Sequence, residues 1–91
     1  MMNDGIRVTF DAAKNVANRE KHGLSLDLVE AVIEGATGTF LDSRFDYGED
    51  RFVTFGYIAS RLHVAVWSER DGIIRAISVR KANAREQARY G

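Results

Sequence analysis

The chain has 91 residues, 45% of them hydrophobic, with no proline and no cysteine. That composition supports one modest core and leaves little room for a second domain, and the missing thiols exclude disulfide staples and thiolate metal sites. Formal net charge is +0, yet it is polarised: positions 1–56 hold six Lys/Arg against ten Asp/Glu, and positions 57–91 hold seven against three.

A neutral but dipolar domain can steer a polyanion to one face, and it can equally be a fold with one solvated basic helix. No apolar run is long enough to cross a bilayer, and "MMNDGIRVTFD" has neither the apolar stretch nor the cleavage site of a signal peptide. A single soluble, cytoplasmic domain over residues 1–91 is expected.

In chain order, "IRVTF" from Ile6 to Phe10 alternates and predicts a first strand. Asp11 is a suitable N-cap for a helix over "AAKNVANREKH", which Gly23 stops. Lys21 and His22 fall in its last turn, where the helix dipole favours positive charge. A second helix is expected after Ser25, with Leu28, Val29, Val32 and Ile33 at helical spacing and Gly35 ending it. Leu41 to Asp50, "LDSRFDYGED", is turn-prone and predicts a loop. Three strands follow in "RFVTFGYI", "LHVAVWS" and "IIRAISV", joined by connections short enough for hairpins. Asn83 with Glu86 three residues on fits a capping box opening a last helix over Ala84 to Tyr90. These elements predict an α+β fold: a compact antiparallel β-meander with two N-terminal helices and one C-terminal helix, the helices packed on one face.

Familiar catalytic templates are missing. His22 and His63 without cysteine make no zinc cluster, no glycine-rich phosphate loop joins a strand to a helix, and no serine sits in a nucleophile elbow. The remaining chemistry is mostly guanidinium, with an amine, a histidine, a tyrosine and a few carboxylates. Such an inventory suits RNA cleavage without metal or cofactor. The 2′-OH next to the scissile phosphate supplies the nucleophile, so the protein need only position the phosphate, move protons and stabilise developing charge.

Arg75, Arg80 and Lys81 are the main candidates, because the planar fork of arginine meets two phosphate oxygens at once. Arg85 and Arg89, four apart on the last helix, extend the same surface. The guanidinium tips are expected to meet in one shallow pocket where the last strand hands over to the last helix. Arg75 and Arg80 have opposite parity, so a regular strand aims them at opposite faces unless it bends or bulges. By parity Arg75 shares a face with Ile73, Ile77 and Val79, and it can equally be an exposed arginine paired with Glu69. His22 is a candidate acid or base, or simply a helix-terminal charge. Tyr90 is placed to stack on a base or to pack the last helix onto the sheet. A cationic surface of this kind also fits a non-catalytic module that binds nucleic acid or an acidic partner.

A set of spaced residues carries a family resemblance. It comprises Asp11, Lys14 and Asn18, then Lys21-His22-Gly23, then Asp50-Arg51 and Gly56. It closes with Arg70, Arg75, Ala76, Ile77, Ser78, Val79, Arg80-Lys81-Ala82, Glu86 and Tyr90. In this the chain resembles the BrnT family, toxins of bacterial type II toxin–antitoxin pairs, from Phe10 to Tyr90. It departs from the family at Phe10, where tryptophan is usual, and at Asp50, where glutamate is usual. The resemblance implies a fold similar to RelE-type toxins and a ribonuclease that inhibits translation. It also implies a BrnA-like ribbon-helix-helix antitoxin, a hetero-oligomer with it, and promoter DNA bound only through that complex. It marks His22, Arg51, Arg75, Arg80, Lys81 and Tyr90 as catalytic candidates, and Arg70, Arg85 and Arg89 as RNA-binding candidates.

Overall fold

The computed structural model describes residues 8–42 and 49–91. The elements are β1 (Val8–Thr9), α1 (Ala12–His22), a 3-10 turn (Leu26–Leu28), α2 (Val29–Glu34), β2 (Ala36–Asp42), β3 (Arg51–Ile58), β4 (Arg61–Arg70), β5 (Ile73–Lys81) and α3 (Ala84–Tyr90). The expected start of the first strand at Ile6, and residues 43–48 of the expected loop, lie outside the described residues.

Local chemistry accounts for the helix ends. Asp11 accepts from the Lys14 N–H at 3.1 Å, and Gly23 takes the left-handed conformation (φ 73°) that closes α1 onto the Arg19 carbonyl. The second helix begins later than its spacing predicts, because Leu26–Leu28 first winds as a tighter turn. Asn83 and Glu86 form the expected capping box of α3.

The sheet has five strands in the order β1-β5-β4-β3-β2. β2, β3, β4 and β5 pair antiparallel with their sequence neighbours, whereas β1 lies parallel to β5. The sheet is therefore mixed and not purely antiparallel as expected. A parallel pair is closed by a long crossover and leaves no local sign in the sequence. β2 adds a strand that reaches Asp42, at positions where the sequence predicted the loop to begin.

Helix placement differs from expectation as well. α1, α2 and the turn between them cover one face, where Leu26, Val29 and Val32 pack with Ala65, Ala76 and Val79. α3 lies against the other face, where Tyr90 joins Val53, Phe55, Leu62, Val64 and Ala82. The strand alternation explains this split, since Val64 and Ala65 are both buried on opposite sides of β4. α2 approaches β3 so closely that a Cβ at Gly56 would lie 2.0 Å from the Val32 carbonyl oxygen. α1 is docked differently, by amides and not by an apolar stripe. Asn15 Oδ1 accepts from the Leu26 N–H at 2.8 Å, and the buried Asn18 reaches β5.

Candidate functional site

The geometry of β5 decides which residues can work together. In its pairing with β4, Val66 faces Ser78 while Trp67 faces Ala76, so Ile77 is an extra, bulged residue. Paired residues project to the same side of a sheet. Arg75 opposite Ser68, Ser78 opposite Val66 and Arg80 opposite Val64 therefore share one face despite the opposite parity of the two arginines. The parity reading is corrected by the bulge: Val79 lies on the helix-covered face, opposite Ala65, and not beside Arg75.

This arginine face is the one on which α3 sits, and it carries two cationic centres rather than one pocket. At one end, Asp42, Arg51, Ser68, Arg75 and Thr9 form a row across all five strands. Glu49 approaches both arginines there, 3.9 Å from Arg51 Nε and 3.7 Å from an Arg75 Nη. The carboxylate partner of Arg75 is thus Glu49, not Glu69. A cavity of about 240 Å³ opens beside this row, lined by Arg70 and Arg75 with Thr9, Glu49 and Ser68. Glu49 falls in the loop that the sequence predicts over Leu41 to Asp50, and nothing local signals a carboxylate bridging two strands.

Arg80 forms the second centre, two rows further along β5 and ~13 Å away at strand rise. Its Nη1 and Nη2 donate to Oε1 and Oε2 of Glu86 at 2.9 and 2.8 Å, and Nη1 also reaches the Lys81 carbonyl at 3.3 Å. The Glu86 bond and charge raise the Arg80 pKa, and Arg80 in turn holds the Glu86 carboxyl below its ordinary value. The end of the guanidinium is engaged. Its flank, Nε–H with one N–H of Nη2, has no partner among the described residues and is a second two-pronged fork.

The other candidates divide. Lys81 pairs with His63, which neighbours Val64 on β4, so it projects from the face opposite Arg80 and does not join it. Tyr90 stacks on Phe55 (centroids 4.0 Å apart, planes 16°) and leans on Phe40, so its ring packs α3 to the sheet. Arg85 and Arg89 are exposed on α3, with the Arg89 guanidinium 5.6 Å from the Tyr90 ring centre. His63 is buried, its Nδ1 hydrogen-bonded with the Arg61 carbonyl.

His22 ends α1 at the free edge of β5. There an open cleft of about 230 Å³ is lined by Lys14, Asn18, Lys21, His22, Ile77 and Ser78, among others. Desolvation and the charges of Lys21 and Arg80 push the His22 pKa below its ordinary value. Asn18 fastens this end of α1. Its amide donates to the carbonyls of Val79 and Leu24, both at 2.9 Å, and its oxygen accepts from the Val79 N–H at 3.1 Å. The sequence motif contained Asn18, but no role for it was legible. Among the described residues no group of three or more His, Asp or Glu side chains is set to hold a metal ion, and no helix is long and apolar enough to cross a membrane.

Residues 10–86 match the family described as "Ribonuclease toxin, BrnT, of type II toxin-antitoxin system", and the chain belongs to that family. No curated protein matches the sequence.

Proposed function

We propose that this member of the BrnT toxin family is a metal-independent endoribonuclease acting on the arginine face of its sheet. The observation that carries the reading is the bulge at Ile77, through which Arg75, Ser78 and Arg80 share that face with Arg51. The flanking fork of Arg80 grips the scissile phosphate while Glu86 holds the guanidinium in place. Arg75, Arg51 and Arg70 bind the backbone further along. His22, whose depressed pKa favours the neutral imidazole, accepts the 2′-OH proton. The new bond is P–O2′ and the broken one P–O5′; the departing 5′-oxygen takes a proton from water, and a 2′,3′-cyclic phosphate remains. Arg85 and Arg89 extend the basic surface from α3, Tyr90 packs α3 onto the sheet, and Lys81 contributes its carbonyl to Arg80.

In the same reading the chain is one cytoplasmic domain with a RelE-like fold that lowers translation by destroying RNA. Its partner is a BrnA-like ribbon-helix-helix antitoxin, and promoter DNA is bound by the complex through the antitoxin.

Purified protein should cleave RNA in the presence of a chelator. Arg80→Ala should lose at least ~100-fold in kcat/KM and Arg80→Lys most of that, because an ammonium cannot replace the fork. In a bacterial host the wild type should arrest growth, the Arg80→Ala variant should not, and the neighbouring antitoxin frame should relieve the arrest. Undiminished cleavage by Arg80→Ala would remove Arg80 from the mechanism. A fully folded wild type that binds RNA without cutting it would favour a binding module instead.

A further inference from the structure

The motif residue Lys14 has no part in the mechanism above and Lys21 enters it only through its charge on His22, yet both line the cleft at the β5 edge. They are seven apart on α1, two turns, so they project from one helix face about 10 Å apart along the axis. Neither makes an ion pair among the described residues, and no carboxylate lines the cleft. This contrasts with the arginine face, where Glu49 and Glu86 offset the cations.

The cleft exists for an architectural reason. Among the described residues β1 pairs with β5 only at Ile74 and Arg75, so none of them gives β5 a strand neighbour beyond the bulge on that side. Asn18 satisfies both backbone groups of Val79 in place of a strand and holds α1 alongside the edge. Ile77 and Ser78 then form the wall opposite Lys14 and Lys21. Ser78 also belongs to the arginine face through its pairing with Val66, so the two surfaces meet at its hydroxyl.

We infer that the cleft between α1 and the β5 bulge is a second phosphate-binding subsite, in which Lys14, Lys21 and the Ser78 hydroxyl hold a phosphodiester of the RNA neighbouring the one at Arg80. The inference rests on the ribonuclease reading and extends it. The RNA strand turns over the free edge of β5, and His22, which feels both Lys21 and Arg80, lies between the two subsites. The lysines bind phosphate as point charges, so the subsite contributes affinity and register without base preference.

The test compares wild type with a Lys14→Gln/Lys21→Gln double variant. A short 2′-O-methyl oligonucleotide, which cannot be cleaved, reports binding; a dinucleotide with one phosphate reports the chemistry. The double variant should bind the oligonucleotide roughly tenfold more weakly and flatten its log–log salt dependence by about 1.4. Dinucleotide cleavage, compared at a pH where the His22 imidazole is neutral in both proteins, should change by less than about twofold. Unchanged oligonucleotide affinity overturns the subsite, and so does an equal fall in dinucleotide cleavage, which would make the lysines part of the reacting centre. Retained RNA affinity with lost antitoxin binding would reassign the cleft to a protein contact and also overturns it. If the wild type cleaves neither the dinucleotide nor the unmodified oligonucleotide of the same sequence, the ribonuclease reading fails, while weakened binding of the 2′-O-methyl oligonucleotide by the double variant still upholds the subsite.

Discussion

At the scale of single residues, Asn18 has the largest structural role for its size. It is 6% exposed, and each of its amide atoms is used: Nδ2 bonds two carbonyls and Oδ1 an N–H. Asn18→Asp keeps the shape but turns a carboxylate oxygen toward the carbonyls of Val79 and Leu24. Two donated bonds are lost and a charge is buried against acceptors, so the variant should be less stable by about 3 kcal/mol at neutral pH. The introduced carboxyl would have a raised pKa in the folded state, and the deficit should shrink as pH falls toward 4 and the group protonates. Urea unfolding at several pH values measures this; a deficit under about 0.5 kcal/mol would mean that α1 is held by other contacts. The residue was visible in the sequence only as part of a motif. An asparagine at a helical position has many ordinary solvated explanations, and its partner strand is 61 residues away.

At the scale of elements, legibility followed locality. α1 and α3 were readable because their boundaries are set by residues a few positions apart, Asp11 with Lys14 and Asn83 with Glu86. β2 was not, since Ala36–Asp42 is mostly exposed on both sides and presents no alternation of buried and solvated positions. The bulge in β5 was invisible for a related reason: period-2 counting has no means of locating an inserted residue, so it put Arg75 and Arg80 on opposite faces. The segment most open to a further test is α3, only seven residues long and marginal by itself. Glu86 secures it twice, accepting from the Asn83 N–H at 2.9 Å and from both Nη atoms of Arg80. Because its folded pKa is lowered, the stability it contributes is present above the ordinary glutamate range and is lost as pH falls through the depressed value. Glu86→Gln keeps a capping side chain but removes the charge and one of the two oxygens that accept from Arg80. It should cost about 1 kcal/mol at pH 7, after allowing for the partial exposure of Arg80, and nothing once the pH is low enough to protonate Glu86 itself. Thermal unfolding across pH checks the convergence. A cost that persists in acid would locate the effect in packing instead of charge.

At the scale of the whole molecule, net neutrality conceals how the cations are distributed. The sheet's arginines are partly offset by carboxylates, Arg80 by Glu86 and Arg51 with Arg75 by Glu49, whereas Lys14 and Lys21 have no such partner among the described residues. RNA that follows both surfaces meets six cations, Arg51, Arg70, Arg75, Arg80, Lys14 and Lys21, but Glu49 and Glu86 stay with the arginines, so it displaces fewer counterions than six full contacts would. For single strands each phosphate contact contributes about 0.7 to the slope of log affinity against log salt. Six contacts would give about −4, and subtracting the two carboxylates leaves about −3. An uncleavable oligonucleotide titrated across a range of salt should therefore fall between these values, and Glu86→Gln should steepen the dependence by unmasking Arg80. A slope near zero would mean that RNA is not held through its phosphates, and then neither the arginine face nor the edge cleft could be its path. The sequence does not show this distribution in its two halves, since Lys14, Lys21 and Arg51 lie in the net-acidic one. What it lacked was the fold that sets the acidic residues Glu49 and Glu86 among the cations, which is why a count of charges alone predicts a stronger salt dependence than the structure does.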